Sequence, residues 1–141
     1  MARAVGRDLP ISFKTSSEIC NYLKKKKVDY AKKLLELAIQ KKKAIPMKRF
    51  NKGVAHKPGI AAGSYPVKAC THILALLKSA EANANQKGLN NLVILSMIAN
   101  KAASAWHYGR HSRRKMKRTH VEIVLGEAKP EIKEEKIRGE K

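Results

Sequence analysis

Acidic residues are scarce in this chain and, over its middle, nearly missing. Eleven Asp and Glu stand against thirty-one Lys and Arg in 141 residues, a formal charge of +20, and between Glu36 and Glu122 the one acid is Glu81. That poverty removes the carboxylate pairs and carboxylate–histidine sets on which acid–base and metal chemistry rest. His56, His72, His107, His111 and His120 have few carboxylates near them, and the spacing of His107 and His111 does not bring both to one metal on a hairpin arm. The glycines at 53, 59 and 63 fit neither a P-loop nor a dinucleotide motif. Cysteine is limited to Cys20 and Cys70, neither at zinc-finger spacing, so both are expected as buried, reduced thiols. No apolar run approaches the roughly eighteen residues of a membrane span. The start MARAVGRDLP also lacks the apolar core of a signal peptide. A cytoplasmic protein is expected, with no membrane partner, no cofactor, no metal and no enzymatic activity.

What the chain does have is cationic surface in one place. Residues 127–141 carry five acids and five bases and cancel, so the whole excess lies on residues 1–126. Such density repels itself and draws polyanions. It peaks in KAASAWHYGRHSRRKMKR, Lys101 to Arg118, with seven Lys or Arg, two His, one Trp, one Tyr and no acid. Val93, Leu95, Met97 and Ala99 alternate before this stretch and Thr119, Val121, Ile123 and Leu125 after it, which predicts a hairpin. Arms of about ten residues at about 3.3 Å each would project on the order of 30 Å. A ribbon without its own core is marginal in water, so its outer half is expected to be mobile until phosphates neutralise it. Ala103 to Ala105 are the expected turn.

The candidate contacts on this finger are Lys101, Trp106, His107, Tyr108, Arg110, His111, Arg113, Arg114, Lys115, Lys117 and Arg118. The cations neutralise phosphates, and Trp106 and Tyr108 offer faces to unpaired bases. The alternative for Trp106 is an anchor packed against its own arm. These needs suit RNA better than B-form DNA, because the helices end in lysine corners and lack a mixed reading face.

The remainder reads as a small body. Leu9, Ile11 and Phe13 predict a short edge strand, and Thr15 with Glu18 a capping box that opens a helix near Ser16 and ends in Lys24 to Lys27. Val28, Ala31, Leu34, Leu35, Ala38 and Ile39 stripe a second helix, with Asp29 as its expected cap and Pro46 beyond its end. From Pro46 to Ser64 no periodicity is visible, and three glycines and two prolines predict a long basic loop, whose length marks it as functional. Lys48, Arg49, Lys52, His56 and Lys57 are its candidate RNA contacts. Pro66 then opens a helix striped by Val67, Cys70, Ile73, Leu74, Leu77, Ala80 and Ala84 and closed by Gly88. The predicted fold class is α+β, three helices on a small three-stranded antiparallel sheet from residues 9–14, 92–101 and 117–125, with a long protruding basic β-hairpin. One domain covers 1–126, with the hairpin extension at about 100–118, and 127–141 is expected to be a charged, disordered tail.

The segments PMKRFNKGVAHKPG, SYPVKACTHILALLKSAEANANQKGL and GRHSRRKMKRTHVEIVL together resemble the universal large-ribosomal-subunit protein L twenty-two family. The longer loop ahead of the third helix is similar to the archaeal and eukaryotic branch. The resemblance covers about residues 5 to 126. It implies an α+β body on the rRNA surface near the polypeptide exit, and a hairpin that passes between rRNA elements toward the tunnel. The implied partners are large-subunit rRNA, neighbouring ribosomal proteins and nascent peptide at the tip, on a cytoplasmic ribosome. The family's hairpin arm maps onto Gly109, Arg110, Arg113, Lys115, Arg118, Thr119 and His120. Asn100 to Tyr108 is shorter than the family's usual outgoing arm and lacks its Gly-Pro and Pro-Arg elements. The reading from another class is a free-standing nucleic-acid chaperone or DNA-compacting protein, which salt would strip from RNA more readily.

Overall fold

The alternation of Thr119, Val121, Ile123 and Leu125 builds the middle strand of the main sheet. In the computed structural model, which describes residues 1–110 and 113–127, all four side chains are buried while His120, Glu122 and Val124 face the other way. The elements in chain order are β1 (Ala2–Leu9), α1 (Phe13–Leu23), α2 (Val28–Ile39), β2 (Ile45–Pro46), β3 (His56–Lys57), β4 (Ile60–Ser64), α3 (Val67–Gln86), β5 (Leu92–Lys101) and β6 (Thr119–Glu127). One antiparallel sheet has the order β1-β6-β5, a second the order β2-β4-β3. Helix α3 packs on β1 and β6, α1 on β5, and α2 on α3. The expected α+β class and its three helices on a three-stranded sheet are therefore present.

The first strand lies earlier than predicted. β1 pairs with β6 from Ala2↔Leu125 to Leu9↔Thr119, and residues 9–14 lead into α1 instead. Its inward residues are Ala2 and Ala4, too small to register as an apolar alternation. They let α3 come close: a Cβ on Gly6 would stand 3.3 Å from Leu76 Cδ2. Asp8, at φ 51°, breaks the register before Leu9. Ile11 turns into the core, and its carbonyl accepts the Thr119 hydroxyl at 2.9 Å.

The alternation read for β5 also fails in its first half. Ile94 pairs with Leu125 and Ser96 with Val124, so Leu95 is an extra residue, a β-bulge that reverses the phase. Ile94 and Met97 are buried, whereas Leu95 is 45% exposed. It lies across Gly126, where a Cβ would come within 2.5 Å of Leu95 Cδ1.

Neither predicted helix cap forms. α1 starts at Phe13 with Ser12 as a cap that makes no side-chain bond, and Glu18 is used elsewhere. α2 starts at Val28 with Lys27 as cap. Asp29 sits in its first turn, 3.1 Å from Lys32, which also reaches Glu81 of α3 at 2.6 Å. The Glu81 hydrogen bond, partly opposed by burial, pulls the Lys32 ammonium above its ordinary pKa. The α3 expectations hold better. Gly88 at φ +68° lets Leu89 N–H donate to Ala84 O and Gly88 N–H to Asn85 O, a Schellman closure.

The lysine run between α1 and α2 has a backbone task. Lys25 N–H donates to Ile94 O at 2.9 Å and Ile94 N–H to Lys26 O at 3.0 Å, covering part of the open edge of β5. The stretch 46–64, predicted as structureless, carries the second sheet: Ile45↔Ser64 and Pro46↔Gly63 on one side of β4, His56↔Ala62 and Lys57↔Ile60 on the other. These strands are too short and too rich in glycine for a period to be visible. Cys20 and Cys70 are buried and unpaired with each other, as expected. The predicted disordered tail lies outside the described residues from 128 onward.

Candidate nucleic-acid interface

The pairing of β5 with β6 does not stop where the apolar residues stop. Past Lys101↔Thr119, Ala102 N–H donates to Arg118 O at 3.1 Å, Met116 N–H to Ala105 O at 2.8 Å, and His107 N–H to Arg114 O at 2.6 Å, with a bridge between Trp106 and Lys115. The turn therefore lies beyond His107. Ala103 to Ala105, predicted as the turn, belong to the outgoing arm. The turn region has Gly109 at φ 105° and Arg113 at φ 68°. A glycine tolerates that region freely, whereas arginine does so at a cost.

On this finger the cations and rings stay in solvent. Trp106 is 60% exposed and Tyr108 81% exposed. Lys115 Nζ stands 4.6 Å above the Trp106 ring, and His107 stacks on Tyr108 at 4.9 Å with an interplanar angle of 22°. Trp106 thus meets the facing arm through a cation and is still largely open to solvent. Lys101, Arg110, Arg113, Arg114, Lys115 and Lys117 are exposed, and Arg118 is half-buried, its Nη2 3.8 Å from Met116 Sδ. His111 lies outside the described residues. Two residues matched through the family resemblance are engaged within the body: Thr119 is in the core, and His120, on the opposite face of β6, accepts the Asp8 N–H at Nδ1, 3.1 Å away.

The second basic surface is held by one buried carboxylate. Glu18, 3% exposed, accepts the backbone N–H groups of Arg49 and Phe50 at Oε1, 2.7 Å each, and of Lys48 at Oε2, 3.1 Å. Three successive amides closing on one carboxylate fix the loop's path and leave the Lys48 and Arg49 side chains exposed. Lys52 and His56 are exposed as well, and Lys57 is half-buried with Nζ 5.5 Å above Tyr65.

Phe50 joins this loop to the start of α1. It meets Phe13 edge-on at 6.2 Å, with the Arg49 guanidinium 5.3 Å and Lys14 Nζ 5.8 Å from its ring centroid. Lys14 and Glu18 were not legible as site residues. Lys14 was hidden in an expected strand and Glu18 in an expected capping box; a buried acid in so cationic a chain was the available signal.

The arrangement can neutralise phosphates along two surfaces and offer aromatic faces to bases. A family profile described as Ribosomal protein L22p/L17e matches residues 4–126. The chain is similar to a protein named large ribosomal subunit protein uL22 from Archaeoglobus fulgidus, 44% identical over 133 residues, 87% of this chain and 86% of the relative. Relatives of the same name from Methanosphaera stadtmanae and Staphylothermus marinus are 41% and 40% identical, each aligned over about nine-tenths of both chains. A profile matched across nearly the whole folded region, together with these identities, means that the chain belongs to the Ribosomal protein L22p/L17e family, in its archaeal-type branch.

Proposed function

We propose that the protein is a structural constituent of the large ribosomal subunit that binds rRNA with its basic loop and finger, the finger reaching toward the polypeptide exit tunnel. The observation that carries this reading is the continuation of backbone pairing to His107 and Arg114, past the point where the apolar core ends. An extension without a core gains nothing from projecting into water. It gains if its cations, unaccompanied by acid, find phosphates, and if Trp106 and Tyr108 find bases. The relatives' shared name supports the assignment to the large subunit.

In this mechanism the body supplies rigidity and the finger supplies contact. Glu18 holds Lys48 and Arg49 at fixed positions, so phosphate contacts there cost little ordering. The finger's side chains repel one another when free and are neutralised when RNA lies on both arms.

The test is co-sedimentation of the full chain with large subunits on a sucrose gradient after a high-salt wash. Retention with the large subunit is expected, because many desolvated contacts act together. Release into the soluble fraction at moderate salt would overturn the reading in favour of a loosely held RNA chaperone. Crosslinking from a photoreactive residue at Tyr108 then tests the tunnel: crosslinks to nascent peptide are expected, and crosslinks to rRNA alone would mean that the finger ends within RNA.

A further inference from the structure

A cleft of about 430 Å³ separates the first turn of α1 from the base of the finger, lined by Ser12, Phe13, Lys14, Lys101, Ser104 and residues 115–118. Five of the lining residues are cations, namely Lys14, Lys101, Lys115, Lys117 and Arg118, and none is an acid. Five like charges around one depression raise its potential and oppose the approach of the finger base to α1, and no ion pair to a carboxylate relieves any of them among the described residues. An anion in the cleft would remove that repulsion.

Lys14 has a second relation that decides what kind of anion fits. Its Nζ stands 5.8 Å from the centroid of the Phe50 ring, the same ring that the Arg49 guanidinium approaches to 5.3 Å, so the same side chain borders both the finger base and the Glu18-held loop. Phe13 lines the cleft and also meets Phe50. The loop and finger surfaces are therefore not two sites separated by a neutral gap. A free phosphate would use the cleft alone, while a polyanion with regularly spaced charges can use the cleft and both flanks in one path.

We infer that this cleft receives a phosphodiester of the bound RNA and that Lys14 is the cation that joins the loop and finger surfaces into a continuous track. The inference rests on the rRNA-binding reading above and adds a site to it. The α1 start contributes its place in the fold, and the charge comes from the lysines and Arg118. A phosphate held between α1 and residues 115–118 also ties the finger to the body, so RNA contact at the base aligns the arms that extend beyond it.

The experiment measures binding of the full chain to in-vitro-transcribed large-subunit rRNA and to a uridine homopolymer of about twenty nucleotides, each across a potassium chloride series. Lys14→Ala and Lys14→Glu are compared with Lys33→Ala, an exposed α2 position away from the cleft. Lys14 is exposed, and an unchanged thermal melt verifies folding. For Lys14→Ala the plot of log affinity against log salt is expected to flatten by about 0.7 to 0.9, the loss of one phosphate contact. Lys14→Glu is expected to weaken binding further, and Lys33→Ala to change nothing. Wild-type slopes and affinities for both Lys14 variants, on an rRNA that the unaltered protein binds, overturn the cleft and leave the ribosomal reading standing. A flattened slope on the homopolymer in a protein with no preference for rRNA supports the cleft and overturns the ribosomal reading. Saturation of the cleft by inorganic phosphate at millimolar concentration, with RNA affinity unaffected, overturns the inference in favour of a small-anion site.

Discussion

Phe50 donates its backbone N–H to Glu18, 32 residues earlier, at 2.7 Å, and this bond with its two neighbours is what makes the basic loop a fixed surface. Glu18 replaces the solvent that three adjacent amides would otherwise need. Replacing it by Ala leaves those donors to find water at a buried position, which costs about 2 to 4 kcal/mol by chemical denaturation, since each unmet buried group costs about 1 to 3 kcal/mol and the loop relaxes partly. Glu18→Gln keeps acceptor oxygen and loses less. Amide hydrogen exchange at Lys48, Arg49 and Phe50 should quicken in the Ala variant ahead of global unfolding.

Four finger cations give a larger, purely electrostatic effect. Replacing Arg113, Arg114, Lys115 and Lys117 with Ala should flatten the salt dependence of RNA affinity by roughly three on the single-strand coefficient. The matched replacement of Lys24 to Lys27 is expected to do less, because that run pairs with Ile94 near the start of β5, whereas the finger extends from the strand's other end. Filter binding over a salt series measures both.

Ser16 marks a site where less polarity gives more stability. Its hydroxyl is buried in α1 and has no hydrogen-bond partner among the described residues. Ser16→Ala removes the desolvated group and raises helix propensity, so a gain of about 0.5 to 1 kcal/mol is expected in denaturant titration.

The thiols set an alkaline limit on stability. Burial pushes Cys20 and Cys70 from an ordinary 9.0 up to about 12. Both states hold these protons below pH 9, so the thiols impose no cost there. Between pH 9 and 12 the unfolded chain has lost its protons while the folded chain keeps them, so stability falls as pH rises, by up to about 1.4 kcal/mol per pH unit per thiol. Thermal melts from pH 8 to 11 should show the decline, and Cys20→Ala should shallow it. Alkylation by iodoacetamide at pH 8 should be slow in the folded protein and fast in denaturant.

The bulge in β5 makes a paired prediction. Gly126→Ala places a methyl against Leu95, whose half-exposed side chain can move, so the cost is about 1 kcal/mol. Leu95→Ala on the same background should recover most of that loss, and a double-mutant cycle in denaturant reads the coupling.

Periodicity carried the long elements. The stripes of α2 and α3 and the alternation from Thr119 to Leu125 each repeat several times, and each repeat is an independent vote for one face. The exposure of the finger was legible for a related reason: a stretch with seven cations and no acid cannot form core, so its place on the surface follows from charge alone. The family followed from motif strings, which no single period could supply.

What only tertiary structure decided lies where short segments depend on distant partners. β1 is built on Ala2, Ala4 and Gly6, whose burial is dictated by the nearness of α3 and not by their own hydrophobicity. Leu95 alternates correctly in sequence and still faces outward, because a bulge opposite the Val124–Leu125 step shifts the phase by one residue. Glu18 has the right spacing for a cap three residues after Thr15, yet its carboxylate meets three amides about thirty residues away, a stronger set of bonds than the local one. Lys14 comes to line a cleft only when the start of α1 meets the finger base, with Phe50 of the loop 5.8 Å from its Nζ. Local patterning reports what a segment gains from its own neighbours in the chain; bulges, buried acids and converging cations are settled by partners that the chain brings together only after it folds.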